Sequence, residues 1–475
     1  MNARKLLSYA LGPVGGAAVG LVSLPLISWY YPPEDVARIM LLQTVASLVL
    51  LMMSFGLDQA YVREYHDADD KPALFKALSM TPMAAGLLLC AAVMLFKPGW
   101  PSEKILDLHS TALSLLCLLF FLGTLAGRYL ALILRMQERA LAFSVSQLTP
   151  KVLILVFVAA YVLSGLPTDT FTLILAYALA QTLAVTVLAV QTRSELKAAA
   201  AAQWSGKTLK ESLRYGLPLA FGGLAYWGFT SADRFLLKEL GGLSELGVYS
   251  MAVSFGAVAL VFQSVFSTIW APMVFKWVKE NSNLEKISGI ALTMTDAMAA
   301  VICLVGIFSP LVSLILPPQY SAVQFILLSS MLYPLLYTLT EVTGIGINVS
   351  RKTWLITVLS VFALLCNLIL LYWLVPRFGA RGAAAATAVS FWLFSVLKTE
   401  ISARVWQDLP RWRIYGKMCA CLLGSLTYTL WGNAANYYVF AAVWLCLLLA
   451  LGFAHRQSLA AAGKAIKGRL KTGQT

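Results

Sequence analysis

Apolar runs of roughly 20 residues, about what a helix needs to cross 30 Å of hydrocarbon, recur along this chain almost from its first residue to position 454. Short polar connections part them. The alternation predicts about fourteen membrane-spanning helices, near 6–30, 37–60, 77–96, 110–134, 143–163, 170–192, 214–237, 246–270, 289–316, 322–347, 353–375, 382–403, 415–431 and 436–454. The clearest unit is the pair 214–237 and 246–270. Between its members stands Lys238-Glu239-Leu240-Gly241-Gly242, whose glycines allow a tight reversal, so the pair predicts a transmembrane hairpin.

Lysine and arginine follow the same alternation. With the N-terminus inside, the inner connections hold about 27 of the 36 basic residues, including Arg193, Lys197, Lys207, Lys210, Arg214, Arg404, Arg411, Arg413, Lys417 and the tail from Arg456 to Lys471. The outer ones hold about seven: Arg38, Lys97, Lys104, Arg234, Lys238, Arg377 and Arg381. A bias this steep predicts that both termini are cytoplasmic. The net charge of +14 therefore reports orientation, and no nucleic-acid partner is expected. Met1 to Lys5 lead into a long apolar segment without a small-residue cleavage pattern, so no removable signal is expected.

Composition closes off other classes. An apolar fraction of 59% with only 12% charged residues, about half the charge of an ordinary soluble domain, predicts an all-α polytopic membrane protein with no soluble domain of ordinary size. The longest polar connection, Gln191 to Arg214, is rich in alanine and lysine and is expected to lie on the inner surface as an amphipathic linker. It divides the chain into an N-terminal bundle of helices 1–6 (1–192), a linker (193–213), a C-terminal bundle of helices 7–12 (214–403), and helices 13–14 with a basic tail (404–475). Ser8-Tyr9 and the glycines that follow faintly match Arg214-Tyr215-Gly216-Leu217-Pro218, an internal repeat of the kind that transporters contain. Ser8, Gly12, Gly16 and Gly20 form a small-residue ridge suited to close helix approach. Pro13, Pro25, Pro218 and Pro334 leave carbonyls unpaired and permit bending.

Several motifs carry no chemistry. The seven cysteines all lie in apolar segments without ligand spacing, and the three histidines are far apart, so neither metal, disulfide nor cofactor is expected. Gly206-Lys207-Thr208 lacks the earlier glycine of a phosphate loop, where Ala201 stands. Asn348-Val349-Ser350 fits a glycosylation acceptor but falls on the inner face.

Polar residues inside the spans are the informative ones. A charge at the middle of a membrane helix costs about 2.5–3.5 kcal/mol on insertion scales, so it should face protein or water. At 100° per residue, Gln43, Ser47, Ser54, Asp58, Tyr61 and Tyr65 of span two share a sector of roughly 60°. Tyr215, Gly222, Tyr226, Thr230 and Asp233 share a face of span seven, and Ser330, Tyr333, Tyr337, Glu341 and Asn348 one of span ten. In span four, Ser110, Ser114, Thr124, Arg128, Arg135 and Arg139 line one side, with Arg128 about two turns from the inner end, deeper than snorkelling requires. Arg135 and Arg139 read either as interfacial anchors or as a basic track leading to Arg128.

These faces predict a water-filled cavity with hydroxyls and aromatic rings for sugars and arginines for phosphate. The candidate substrate-binding residues are Arg128, Arg63, Arg135, Tyr226, Thr230, Tyr333 and Tyr337. Glu341, Asp58 and Asp233 are candidate ion-coupling carboxylates, since a desolvated carboxylate can take up and release a proton. Structural pairing with a basic residue of a neighbouring helix is the alternative for each.

Asp233-Arg234, the apolar residues and glycines after it, and then Gly247-Val248-Tyr249-Ser250 resemble the seventh and eighth helices of the polysaccharide-biosynthesis branch of the MOP flippase superfamily. Phe55-Gly56-Leu57-Asp58-Gln59-Ala60-Tyr61-Val62-Arg63-Glu64 is similar to the end of that family's second helix. For Arg63 the family position implies function, whereas its place opposite Asp58 on the helix implies anchoring.

The resemblance implies a V-shaped pair of pseudo-symmetric six-helix bundles that opens alternately to each side. Its cargo would be a lipid-linked oligosaccharide, typically an O-antigen or exopolysaccharide unit on undecaprenyl diphosphate, carried across the bacterial inner membrane. A polymerase and other assembly proteins are the partners it implies. Fourteen spans depart from the twelve common in this branch and are similar to the peptidoglycan lipid II flippases. Two other readings stand beside it. A multidrug exporter of the same superfamily would favour acidic residues for cationic drugs. A membrane polymerase would need a sizeable outer loop, but the longest, around Phe96 to His109, has about a dozen residues, so no enzyme is expected.

Overall fold

The computed structural model describes residues 3–165 and 167–454, all of its regular structure helical. The basic tail beginning at Arg456 and the start of the chain at Met1 and Asn2 lie outside the described residues, as does the side chain of Ser8. The first part of the chain forms α1 (Ala3–Tyr30), α2 (Pro33–Ser54), α3 (Leu57–Glu64), α4 (Lys71–Phe96), α5 (Trp100–Leu106), α6 (Thr111–Met136), α7 (Ala140–Leu163) and α8 (Thr170–Gln191). After the short α9 (Arg193–Ala201) come α10 (Gly206–Glu280), α11 (Lys286–Phe308), α12 (Leu311–Ile315), α13 (Val323–Thr343) and α14 (Ile345–Val349). The chain ends with α15 (Trp354–Val405), α16 (Arg411–Trp431) and α17 (Tyr437–Ala454).

Local chemistry sets the starts of these helices. Asp70, Ser110 and Asp169 each accept a backbone N–H of the first turn of α4, α6 and α8, and Pro33 with Glu34 and Asp35 opens α2. The long α10 and α15 are hairpins. Their helical geometry breaks at Gly242 (φ 86°, ψ 173°) and Gly379 (φ 53°, ψ −131°), conformations that favour glycine. In α10 the Tyr249 hydroxyl reaches the Asp233 carboxylate, sixteen residues back, which a straight helix would place about 24 Å away. The two turns lock together where the Ala380 N–H donates to Glu245 Oε2 at 2.6 Å. Among the described residues ten helices are long and apolar enough to cross a membrane. Counted by length alone, with α15 and α10 each divided into two arms and α16 added, the long helical segments among the described residues number fourteen, which is the number of spans expected from the sequence.

Four local expectations change. Span nine divides into α11 and α12, and span ten divides at Gly344 into α13 and α14, so that Asn348 no longer shares a helix with Ser330, Tyr333, Tyr337 and Glu341. Span two is not one helix, because Phe55 (φ 51°) and Gly56 (φ 71°) both turn left-handed between α2 and α3. Its polar sector is thereby split: Ser47, Ser54 and Asp58 line one cavity, whereas Tyr61 and Tyr65 pack with Phe75 of α4 at another. Arg139 has left α6, standing just before α7 with its guanidinium on the Gln191 carbonyl at 3.4 Å.

Gly12 and Gly16 of the small-residue ridge of α1 meet α7, whereas Gly20 faces open space. A methyl group on Gly12 would fall 3.0 Å from Gln147 Oε1 and one on Gly16 2.9 Å from Lys151 Nζ, so bare backbone is what lets these helices approach. Lys151 donates to the Gly16 carbonyl at 2.9 Å.

Contacts tie the N-terminal helices to α10 and beyond at both ends. At the end carrying α3, Ser212 donates to Glu64 Oε2 at 2.8 Å, the Arg63 guanidinium lies 4.2 Å over the Tyr215 ring, and the backbones of Gly56 and Gly216 touch. At the other end Pro33 packs on the bare backbone of Gly247, Lys238 Nζ pairs with Asp107 Oδ1 at 2.7 Å, and Trp29 Nε1 donates to the Ile315 carbonyl at 2.9 Å. A cavity remains between the two sets of contacts.

Candidate substrate cavity

This cavity, of about 510 Å³, lies between α2, α3 and α6 on one side and the first arm of α10 on the other. Its polar lining is Ser47, Ser54, Asp58, Gln59, Arg128 and Trp227. The left-handed break at Gly56 places Asp58 in the first turn of α3, where unpaired N–H groups favour a carboxylate. Arg128 reaches it from α6: Nη2 and Nε both donate to Asp58 Oδ2, at 2.7 and 3.2 Å. Gln59 Nε2 donates to the same oxygen at 2.9 Å. A guanidinium has five N–H donors, so Arg128 retains others for an anion. Its side chain is one-third exposed, whereas that of Asp58 is 11% exposed. Trp227 Nε1 closes the opposite wall by donating to Ser47 Oγ at 2.9 Å.

Tyr226, Tyr333 and Tyr337 meet elsewhere, inside the C-terminal helices. The rings of Tyr226 and Tyr337 lie 5.7 Å apart, and Tyr333 packs on Phe391 at 4.3 Å. Next to them Glu341 faces Lys398, with Nζ 3.9 Å from Oε1. Lys398 donates to Thr340 Oγ1 at 3.1 Å and lies 5.3 Å from the centre of the Tyr337 ring. Thr230 turns its hydroxyl back onto its own helix, at the Tyr226 and Trp227 carbonyls. Asp233 is buried beneath Tyr249 and accepts the Arg234 N–H at 2.9 Å. Arg63 and Arg135 are exposed, the first stacked on Tyr215 and the second in the last turn of α6.

Six of the ten predicted residues thus gather in two places, while Arg63, Arg135, Thr230 and Asp233 stand apart from both. Asp58 and Arg128 share the cavity; the tyrosines and Glu341 form a cluster within the C-terminal helices. Sequence reasoning missed Lys398, which is only 5% exposed. Its signal was present, a lone lysine in span twelve between Phe394 and Thr399. Trp227 was passed over because tryptophan also marks membrane interfaces.

The fold is that of the MOP transporters. It superposes on the inward closed conformation of the lipid II flippase MurJ with a TM-score of 0.69, at 14% identity, covering 95% of this chain and 99% of that one. On an inward-facing multidrug resistance MATE family transporter of the MOP superfamily the TM-score is 0.58, at 15% identity, over 88% and 99% of the two chains. Within that class, the chain belongs to the polysaccharide biosynthesis protein family, whose model matches residues 3–278. A curated relative, the probable low-salt glycan biosynthesis flippase Agl15 of Haloferax volcanii, is 26% identical over 199 residues; the match spans 41% of this chain and 41% of that protein.

Proposed function

We propose that this protein is a flippase that carries a lipid-linked oligosaccharide, an O-antigen or exopolysaccharide unit on undecaprenyl diphosphate, across the bacterial inner membrane by alternating access. Family membership and the transporter fold support the class. The observation that carries the cargo assignment is Arg128, a one-third exposed guanidinium within the cavity, held by a single carboxylate. A diphosphate brings more charge and more acceptor oxygens than Asp58, so it can take over the guanidinium, and the planar fork suits two phosphate oxygens at once. Arg135, two turns further along α6 and exposed, leads from the membrane surface towards it.

The basic end is cytoplasmic in this reading, with both termini there, because most lysines and arginines fall on that side. The segments 1–192 and 214–403 move against each other, and the contacts of Gly56 with Gly216 and of Pro33 with Gly247 open in turn. Glu341 and Lys398 are the candidate pair for ion coupling, since protonation of the carboxylate would leave the lysine uncompensated and favour rearrangement. A polymerase and other assembly proteins receive the flipped unit.

Complementation of surface-polysaccharide assembly, with membrane protein level measured alongside, tests the cargo contact. Arg128→Lys should assemble polysaccharide poorly and Arg128→Ala worse, because lysine offers only a compact charge. Normal assembly by Arg128→Ala at normal protein level would place the diphosphate elsewhere, with Arg63 next to examine.

A further inference from the structure

Arg128 lines a second cavity besides the first. This one, of about 260 Å³, lies among α6, α7 and α8 and is bordered by Thr124, Arg128, Phe143, Ser146, Gln147 and Gln181. Arg128 is the one charged group in its lining. Its hydrogen-bonding capacity is specific. The Thr124 and Ser146 hydroxyls donate to their own helix, to the Phe120 carbonyl at 2.8 Å and the Phe143 carbonyl at 2.7 Å, so towards a ligand they act as acceptors. The amides of Gln147 and Gln181 have no hydrogen-bond partner among the described residues, and each offers both donors and an acceptor. Gly123 and Gly127 let Gln181 lie close to α6: a methyl group on Gly123 would fall 2.9 Å from Gln181 Cγ, and one on Gly127 3.4 Å from Nε2.

Neutral amides and hydroxyl acceptors beside an aromatic ring match a polyhydroxylated ring, whose hydroxyls both donate and accept and whose C–H faces are apolar. They match neither a lipid tail nor a second anion. The cavity is on the scale of one pyranose and not of an oligosaccharide. We propose that it is a sugar subsite, and that it takes the uncharged sugar bonded directly to the diphosphate. The reason is Arg128 itself: a ring entering this cavity lies within reach of the guanidinium that holds the phosphate in the neighbouring one. The proposal rests on the flippase reading and adds to it which part of the cargo is recognised, and by which residues.

The test uses the full-length protein in nanodiscs and measures binding of undecaprenyl diphosphate alone and of the same lipid bearing one glucose, galactose or N-acetylglucosamine. At least one sugar should tighten binding about tenfold, as expected for a few added hydrogen bonds. The Gln147→Ala/Gln181→Ala double variant should lose that gain while binding the sugar-free lipid within about twofold of the natural protein. Gly127→Ala, whose methyl meets only ordinary contacts, is the second variant; it narrows the cavity and should also lose the gain. The subsite is overturned if no sugar adds affinity, or if the gain survives in both variants. Failure of the unaltered protein to bind even sugar-free undecaprenyl diphosphate is a different result, which would overturn the flippase reading on which the proposal stands.

Discussion

Lys398 of α15 stands 3.9 Å from Glu341 of α13 among the C-terminal helices, the lysine buried and the carboxylate half-buried. A charge in such a place is tolerated because its counter-charge is there, and removing one partner leaves the other uncompensated. Glu341→Gln should therefore destabilise the protein by about 3 kcal/mol, and Glu341→Gln/Lys398→Met should recover most of that loss. Melting in detergent measures the first effect, and transport by the same variants separates structure from coupling. Full transport by Glu341→Gln at normal expression would remove Glu341 from the coupling mechanism.

Gly56 and Gly216 meet backbone to backbone, with no space for a side chain on either. Gly56 is also left-handed, so Gly56→Ala adds strain to the collision. The variant should hold this end apart. A cysteine in place of exposed Leu219, beside the cavity, should react faster with a soluble maleimide in Gly56→Ala than in the natural protein. Equal rates would mean that the contact does not control access.

Orientation is testable at two exposed positions, Ala434 between α16 and α17 and Lys279 at the end of α10. A membrane-impermeant maleimide added outside the cell should label Ala434→Cys and leave Lys279→Cys unlabelled. Gly379 is unsuited to this purpose, because its φ is 53° and the Glu245 carboxylate occupies the place of a side chain. Labelling of both positions, or the reverse pattern, would contradict the assigned orientation.

Glu195 fastens the amphipathic helix α9 to α6. Gln137 Nε2 and Ser194 Oγ each donate to its carboxylate at 2.7 Å. Burial pushes this carboxyl up, but those two hydrogen bonds, with its own backbone N–H and the Arg139 charge, outweigh it and hold the group below the ordinary carboxylate value of 4.5. A group depressed in the folded state contributes stability that is present above its unfolded value and lost as pH falls through the folded one. The attachment should thus be complete at pH 7 and weaken only below about 4.5. A spin label on exposed Lys197 should gain mobility over that range, and Glu195→Gln should abolish the dependence.

Much of the architecture was legible from the chain. Membrane helices are read from length and apolarity because the bilayer leaves the backbone no other partner, so most of the spans and the hairpin turn at Gly241-Gly242 emerged from local pattern, whereas α10 begins at Gly206, inside the stretch expected to be linker. The break at Phe55–Gly56 was less visible, since a glycine in an apolar run is compatible with a continuing helix. That single turn moved Tyr61 and Tyr65 away from the face of Asp58, which no fixed rotation per residue can express.

Residue type and depth along each helix were properties of the sequence alone: they marked Arg128, Asp58 and Glu341 as charges in need of a partner. Which partner each found was decided only by the tertiary structure. Asp58 and Arg128 are 70 residues apart, and Glu341 and Lys398 belong to different helices, so their pairing depends on how α3 packs on α6 and α13 on α15. The same holds for the cavity behind Arg128, where Gln147 and Gln181 look like ordinary polar residues of two separate spans until α7 and α8 bring them to one wall. Hydropathy is a one-dimensional quantity fixed residue by residue, whereas a charge pair or a cavity exists only between helices, and its free energy is set by their packing.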